Sequence, residues 1–186
     1  MDGRKGSTVN LEDRIALHNR MARAYGDAYL RQGVQDGEKK FVDVWKFHPD
    51  CMYASPYFTG DEAFKLSEFP PEESARASTM EAKVYSLRFP PDWKPVDFKH
   101  WPADNGFVMK TRWQGTNKDT GTVMGFYSYS FIDTDDNGEV VRWETHINSE
   151  YSDFLDVAIG VHGPFHGTHE YTDALDRRLA EEGLTV

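Results

Sequence analysis

The chain contains a single cysteine, Cys51, among 186 residues. That excludes an intramolecular disulfide and fits a reducing compartment. No stretch approaches the roughly 20 consecutive apolar residues of a membrane-spanning helix. The polar start Met1-Asp2-Gly3-Arg4-Lys5 leads into no apolar signal segment, so a cytoplasmic protein is expected. Basic residues are in the minority, 21 Lys and Arg against 31 Asp and Glu, for a net charge of −10, and they form no cluster. Nucleic acid and anionic membrane surfaces are therefore poor partners. Neither a Gly-x-Ser-x-Gly elbow nor a glycine-rich phosphate loop occurs, which argues against a serine nucleophile and against a nucleotide cofactor. No cofactor is expected. Repeats and low-complexity tracts are also missing.

Aromatic residues are abundant: 5 Trp, 12 Phe and 9 Tyr, 14% of the chain. That supply can build a core and also wall a cavity for an apolar or aromatic ligand. Residues 1–9 read as a loose tail, 10–160 as one domain, and 161–186 as a C-terminal flap and helix. Asn10 is placed to cap a helix in which Leu11, Ile15, His18, Ala22, Tyr25 and Tyr29 recur every three or four residues, ending at Gly33. A second helix carries Phe41, Val44, Trp45 and His48 and stops at Pro49; a short strand, Cys51–Ala54, follows. Cys51 reads as packing rather than as a reactive thiolate. A third helical region is broken near Pro70-Pro71 and resumes through about Arg88.

Strands are expected near 96–101, 106–114, 122–133 and 140–148, then a short helix at 153–160 and a polar one at 170–182. Helices first and an antiparallel meander after them argue an α+β fold. In the last strand Val141, Trp143, Thr145 and Ile147 alternate with Arg142, Glu144, His146 and Asn148, so Glu144 and His146 share a face. A carboxylate beside an imidazole is a ready acid–base pair near neutral pH. Depending on register, neighbouring strands add Tyr127 and Tyr129 or Phe126 and Ser128, then Lys110 and Arg112 or Met109, Thr111 and Trp113. A slip of one residue exchanges the pocket face for the solvated face.

Four pieces resemble the nuclear transport factor 2-like superfamily, in its SnoaL-like and ketosteroid isomerase-like branch. They are the first helix ending in tyrosines, His48-Pro49-Asp50-x-x-Tyr53-Ala54-Ser55-Pro56-x-x-x-Gly60, the hairpin Gly115-Thr116…Thr120-Gly121, and the finish Gly138-Glu139-Val140-Val141-Arg142-Trp143…Glu150-Tyr151-Ser152-Asp153. The resemblance implies a cone-shaped, curved mixed sheet wrapped around the long N-terminal helix, with a deep apolar pocket and assembly as a homodimer or homotrimer. Where the ketosteroid isomerase pattern has a catalytic Asp before the proline, this chain has Ser55. The dehydratase pattern is matched by residue type at Tyr25, Asp27, Tyr53 and His146.

The resemblance thus implies a cofactor-independent lyase for a small hydroxylated aromatic substrate, similar to bacterial lignin-dimer lyases that release formaldehyde through a quinone methide. His146 or Glu144 would transfer protons, and Tyr25, Tyr53 and Arg112 would hold phenol or hydroxyl groups. Tyr29, Asp27, Lys110, Trp113, Tyr127 and Asn148 would complete the pocket. An isomerase or polyketide-type cyclase is the alternative enzyme, and a non-catalytic small-molecule binder the other.

Two metal motifs are set aside. His162, His166 and His169 lie in a tract broken by glycine and proline, which reads as a pocket flap or surface loop. Asp133-x-Asp135-x-Asn137-Gly138 followed by Glu144 matches a calcium-loop pattern, but strand-like segments flank it and Asn-Gly favours a tight turn. No metal is expected.

Overall fold

The computed structural model describes residues 10–41, 44–60, 62–68, 71–89 and 92–185, leaving aside the side chains of 29–41, 71–75, 78 and 168. Helix α1 (Leu11–Phe41) opens as expected, the Asn10 side-chain oxygen accepting from the Glu12 N–H at 3.3 Å. It does not stop at Gly33. A helical glycine costs only about 1 kcal/mol, and α1 runs through both Gly33 and Gly37. The expected second helix is replaced in part by this extension. His48 and Pro49 instead enter strand β1 (Phe47–Ala54).

Short elements follow: α2 (Pro56–Thr59), β2 (Phe64–Lys65) and one 3-10 turn (Leu66–Glu68). Helix α3 (Pro71–Arg88) precedes strands β3 (Lys94–Ala103), β4 (Gly106–Thr116), β5 (Val123–Thr134) and β6 (Val140–Ile147). Helices α4 (Glu150–Ile159) and α5 (Thr168–Glu181) end the chain. The four later strands stand where the alternation of the sequence put them, each within about three residues of the observed ends, the usual scatter of such boundaries. The β5–β6 connection is a tight turn: the Asp135 carboxylate accepts from the Asn137 and Glu139 N–H groups at 2.9 and 2.8 Å, and Gly138 sits at φ 77°.

The fold is α+β. Six strands form one curved, open mixed sheet in the order β2-β1-β6-β5-β4-β3, with β1 parallel to β6 and the other pairs antiparallel. All the long helices cover the same face. Met21 and Ala22 of α1 pack with Cys51, Phe107, Met109 and Ile132 in one buried cluster. Helices α3, α4 and α5 close a second around Phe89, Phe126, Tyr151, Phe154 and Leu175. Cys51 fills the first cluster, and burial pushes its thiol up to about 11, away from thiolate chemistry. Among the described residues, no helix is long and apolar enough to cross a membrane.

Candidate functional site

Strand register decides which side chains meet. Tyr129 lies opposite His146 and Phe131 opposite Glu144. Lys110 pairs with Tyr129 and Arg112 with Tyr127. Glu144, His146, Lys110, Arg112 and Tyr127 therefore share one face, the outer one, opposite the long helices. Glu144 bridges to Arg142 and accepts a hydrogen bond from His146 Nε2 at 2.6 Å; the His146 side chain is 46% exposed. The Glu144 carboxyl is held below its ordinary range first by the His146 hydrogen bond and then by Arg142. Arg112 turns away to Glu150 at 2.5 Å, and Asn148 holds the same carboxylate at 2.9 Å. Lys110 stands 4.2 Å from the Tyr127 ring centre. This is a surface lattice of ion pairs and cation–π contacts, not a closed cavity. Lys110 and Arg112 share this face with the acid–base pair, with Arg112 held by Glu150 and Lys110 over the Tyr127 ring.

Tyr25, Tyr53 and Trp113 fall on the inner face. Tyr25 and Tyr53 both meet the Trp143 ring, at 6.4 and 5.6 Å between centres. Trp113 donates its indole N–H to Ser128 at 3.2 Å. Asp27 is exposed on α1. The Tyr29 side chain lies outside the described residues. The structure thus divides the expected site residues between two faces.

A constellation the sequence did not single out lies on the inner side. Glu81 and Tyr85 are four residues apart on α3 and so share a helix face. The Tyr171 hydroxyl of α5 donates to Glu81 Oε1 at 2.6 Å. It also contacts the Tyr85 hydroxyl at 2.6 Å, which contacts that of Tyr151 at 2.8 Å. Each phenol owns one proton. With Tyr171 giving its proton to the carboxylate, Tyr85 must donate to Tyr171, and Tyr151 to Tyr85. Three buried phenols, each at most 5% exposed, therefore point their dipoles at one carboxylate. Burial, reinforced by the Glu81 charge, pushes the Tyr151 and Tyr171 phenols up; at Tyr85 burial leads and Tyr151 and Glu81 add to it. All three stay protonated donors at neutral pH.

The Glu81 charge also reaches Tyr53, whose phenol burial pushes up to about 12, with the hydroxyls of Ser55 and Thr145 beside it. Around Tyr53 the sheet presents more hydroxyls. Thr145 accepts from the Trp143 indole N–H at 3.0 Å and meets Ser130 at 3.1 Å. Indole nitrogens only donate, so the Trp113 bond leaves Ser128 its hydroxyl proton, while in the Thr145–Ser130 contact either hydroxyl can be the donor. Although they lie on the covered face, Tyr53, Ser128, Trp143, Thr145 and Ile147 are only half-buried, unlike the core residues beside them.

A separate cavity of about 370 Å³ is lined by Thr59, Glu62, Phe64, His166, Gly167, His169 and Glu170. Phe64 packs on Tyr53 at 5.4 Å, which puts this cavity at the β1–β2 edge next to the hydroxyl-rich face. His166, in the loop before α5, and His169, in its first turn, belong to its wall. Among the described residues, no group of three or more His, Cys, Asp or Glu side chains is arranged to hold a metal ion.

No family model and no curated protein matches this chain. Solved structures do show likeness. A steroid delta-isomerase from Pseudomonas aeruginosa is 14% identical, with 90% of this chain and 91% of that one covered, at a TM-score of 0.38. A hypothetical protein with a ketosteroid isomerase-like fold from Catenulispora acidiphila is 12% identical, over 78% and 94%, at 0.42. An NTF2-like protein from Burkholderia thailandensis is 13% identical, over 69% and 88%, at 0.42. Neighbours of this kind are NTF2-like, SnoaL-like and ketosteroid isomerase-like proteins; at these values neither membership nor activity passes to this chain.

Proposed function

We propose that the protein is a proton-transfer enzyme of the isomerase kind, acting on a flat apolar ring compound that bears a carbonyl. One observation carries this reading: a carboxylate, Glu81, is fixed by a directed chain of three buried phenols beside a sheet face rich in hydroxyl donors. A carbon acid needs those two parts, a base at the C–H and donors at the oxygen that becomes negative.

In this scheme the Glu81 carboxylate removes a proton from the carbon next to the carbonyl. The C–H electron pair moves into an enolate whose oxygen carries the charge. Protonated Glu81 then returns the proton to a different carbon, and the double bond shifts. Atoms balance and product mass equals substrate mass. Tyr171, Tyr85 and Tyr151 act as positioning residues, holding the carboxylate. Trp143, Tyr53 and Tyr25 supply aromatic surface for the ring.

The lyase drawn from Glu144 and His146 has less behind it, because that pair faces outward with the imidazole nearly half exposed. Product mass separates the chemistries, since a lyase loses water or a one-carbon unit.

The test is a panel of cyclic β,γ-unsaturated ketones in deuterated water, read by mass spectrometry for label uptake and by absorbance for conjugation. Glu81→Gln is expected to lower the rate by about 10²–10⁴-fold, the usual weight of general acid–base catalysis. An unchanged rate would sink the assignment.

A further inference from the structure

The cavity of about 370 Å³ at the β1–β2 edge has no part in the scheme built on Glu81. Its size falls at the small end of ligand sites, which run from about 300 to 1,000 Å³. Two carboxylates stand in its wall, Glu62 from the segment before β2 and Glu170 from the first turn of α5. The imidazoles of His166 and His169 and the ring of Phe64 complete its chemistry. Thr59 brings a hydroxyl already in use, donating to the Ser55 carbonyl at 3.1 Å and accepting from the Ser55 N–H at 3.3 Å.

The balance of donors and acceptors sets what this wall can hold. A carboxylate only accepts, and a neutral imidazole offers one donor and one acceptor. Glu170 Oε2 accepts from the His166 backbone N–H at 2.6 Å, which fixes that carboxylate where α5 meets the cavity. Among the described residues, no Lys or Arg lines the cavity, and Lys65, the neighbour of Phe64, is bridged to Asp50 at 2.7 Å. The wall is therefore anionic and rich in acceptors. The described side chains offer no metal-binding group, so the cation it suits is organic. Phe64, half-buried and packed on Tyr53 at 5.4 Å, adds a flat aromatic surface to which a cation is also attracted.

We propose that this cavity binds a small primary amine in its ammonium form, carried on a flat apolar body. The ammonium donates to Glu62 and Glu170, and the body lies against Phe64. An ammonium has three donors and no acceptor, the complement of this wall. An anionic ligand would meet two like charges there. Neither Glu81 nor the tyrosine chain takes part, so the proposal stands independently of the reading of Glu81 as a base.

The experiment titrates benzylamine into the full chain at pH 7.5 by calorimetry, with benzyl alcohol and benzoate as the neutral and anionic forms of the same ring. Wild type is expected to bind benzylamine saturably, and the other two at least about tenfold more weakly. Replacing both carboxylates, Glu62→Gln with Glu170→Gln, should lower benzylamine affinity about tenfold, the weight of a charge-assisted contact. Both residues are exposed and glutamine keeps an oxygen for the His166 N–H, so the melting temperature should change little. Phe64→Leu keeps apolar bulk without the ring and should weaken binding about two- to fivefold, the weight of a cation–π contact. Glu81→Gln should bind benzylamine as wild type does. A wild-type protein that takes up no benzylamine, or binds benzoate as tightly, overturns the proposal. So does a double variant with wild-type affinity, or a loss of affinity in Glu81→Gln, which would put the amine at the other carboxylate.

Discussion

Tyr171 donates a 2.6 Å hydrogen bond to Glu81 across 90 positions of sequence, tying the last helix to the third. That bond fixes the direction of every proton behind it, through Tyr85 to Tyr151. It holds the negative charge at the one end of the network that is not sealed in the core. Removing the donor tests this directly. Tyr171→Phe should lower turnover by about tenfold and, by withdrawing a hydrogen bond from the charged form, raise the pKa of the base. The acidic limb of the pH–rate profile should move to higher pH. A profile that stays in place would mean that Tyr171 does not hold the catalytic group.

Tyr85 is the middle of the chain, and its loss strands Tyr151, while Tyr171 keeps its bond to Glu81. Tyr85→Phe leaves the Tyr151 hydroxyl with only a 3.5 Å approach to Tyr171. The cost expected is about 1–3 kcal/mol, that of a buried hydroxyl without a partner. Urea unfolding at neutral pH measures it.

His18 gives the protein a pH-dependent stability. It is 1% exposed, with Nδ1 at 2.7 Å from the Ala103 carbonyl and Nε2 at 2.7 Å from the Thr134 hydroxyl. A carbonyl only accepts, so Nδ1 carries the proton and neutral Nε2 accepts from Thr134. Burial, opposed by the Ala103 carbonyl and aided by Arg14, lowers its pKa below the ordinary 6.5. The unfolded chain therefore takes up the proton first. The contribution is whole above about pH 6.5 and is lost as pH falls through the lower folded value. The unfolding midpoint should drop between pH 7.5 and 5.5 in wild type, and by less in His18→Gln. Parallel slopes would refute this.

The outer pair makes the opposite forecast. His146→Ala and Glu144→Gln should each change stability by less than about 1 kcal/mol, the range of exposed ion pairs. Neither should alter turnover on any substrate that Glu81 serves. A hundredfold loss of rate in either variant would return the chemistry to the outer face.

Gly125 marks a close approach within the sheet. A Cβ there would lie 2.1 Å from the Trp113 carbonyl oxygen and 3.0 Å from the Gln114 Cα, both backbone atoms that cannot swing aside. Gly125→Ala should cost about 2 kcal/mol or more through forced separation of β4 and β5. A thermal melt at wild-type temperature would contradict it.

Much of the sheet could be read directly from sequence, because its signals are local. Alternation across 106–116, 123–134 and 140–147 and the Asn137-Gly138 turn belong to stretches of a dozen residues or fewer. The end of α1 was harder. Gly33 and Gly37 look like stops, yet a helix tolerates each at modest cost. Glu81 was not legible. Helix α3 reads Pro-Glu-Glu-Ser-Ala-Arg-Ala-Ser-Thr-Met-Glu-Ala-Lys-Val-Tyr-Ser-Leu-Arg, where one more glutamate looks solvated. Its partner Tyr171 comes from a helix whose position beside α3 no local pattern encodes.

Period two is a property of the extended backbone, so sequence alone established that Glu144 and His146 look the same way and that Trp143 and Thr145 look the other. It could not say which way is inward. That followed from all the long helices settling on one side of the sheet, where burying Met21, Ile132, Phe126 and Phe154 removes the most apolar surface from water. Packing thus turned the conspicuous acid–base pair outward, and it brought Glu81 and three tyrosines, scattered over 90 residues, to within hydrogen-bond reach of one another.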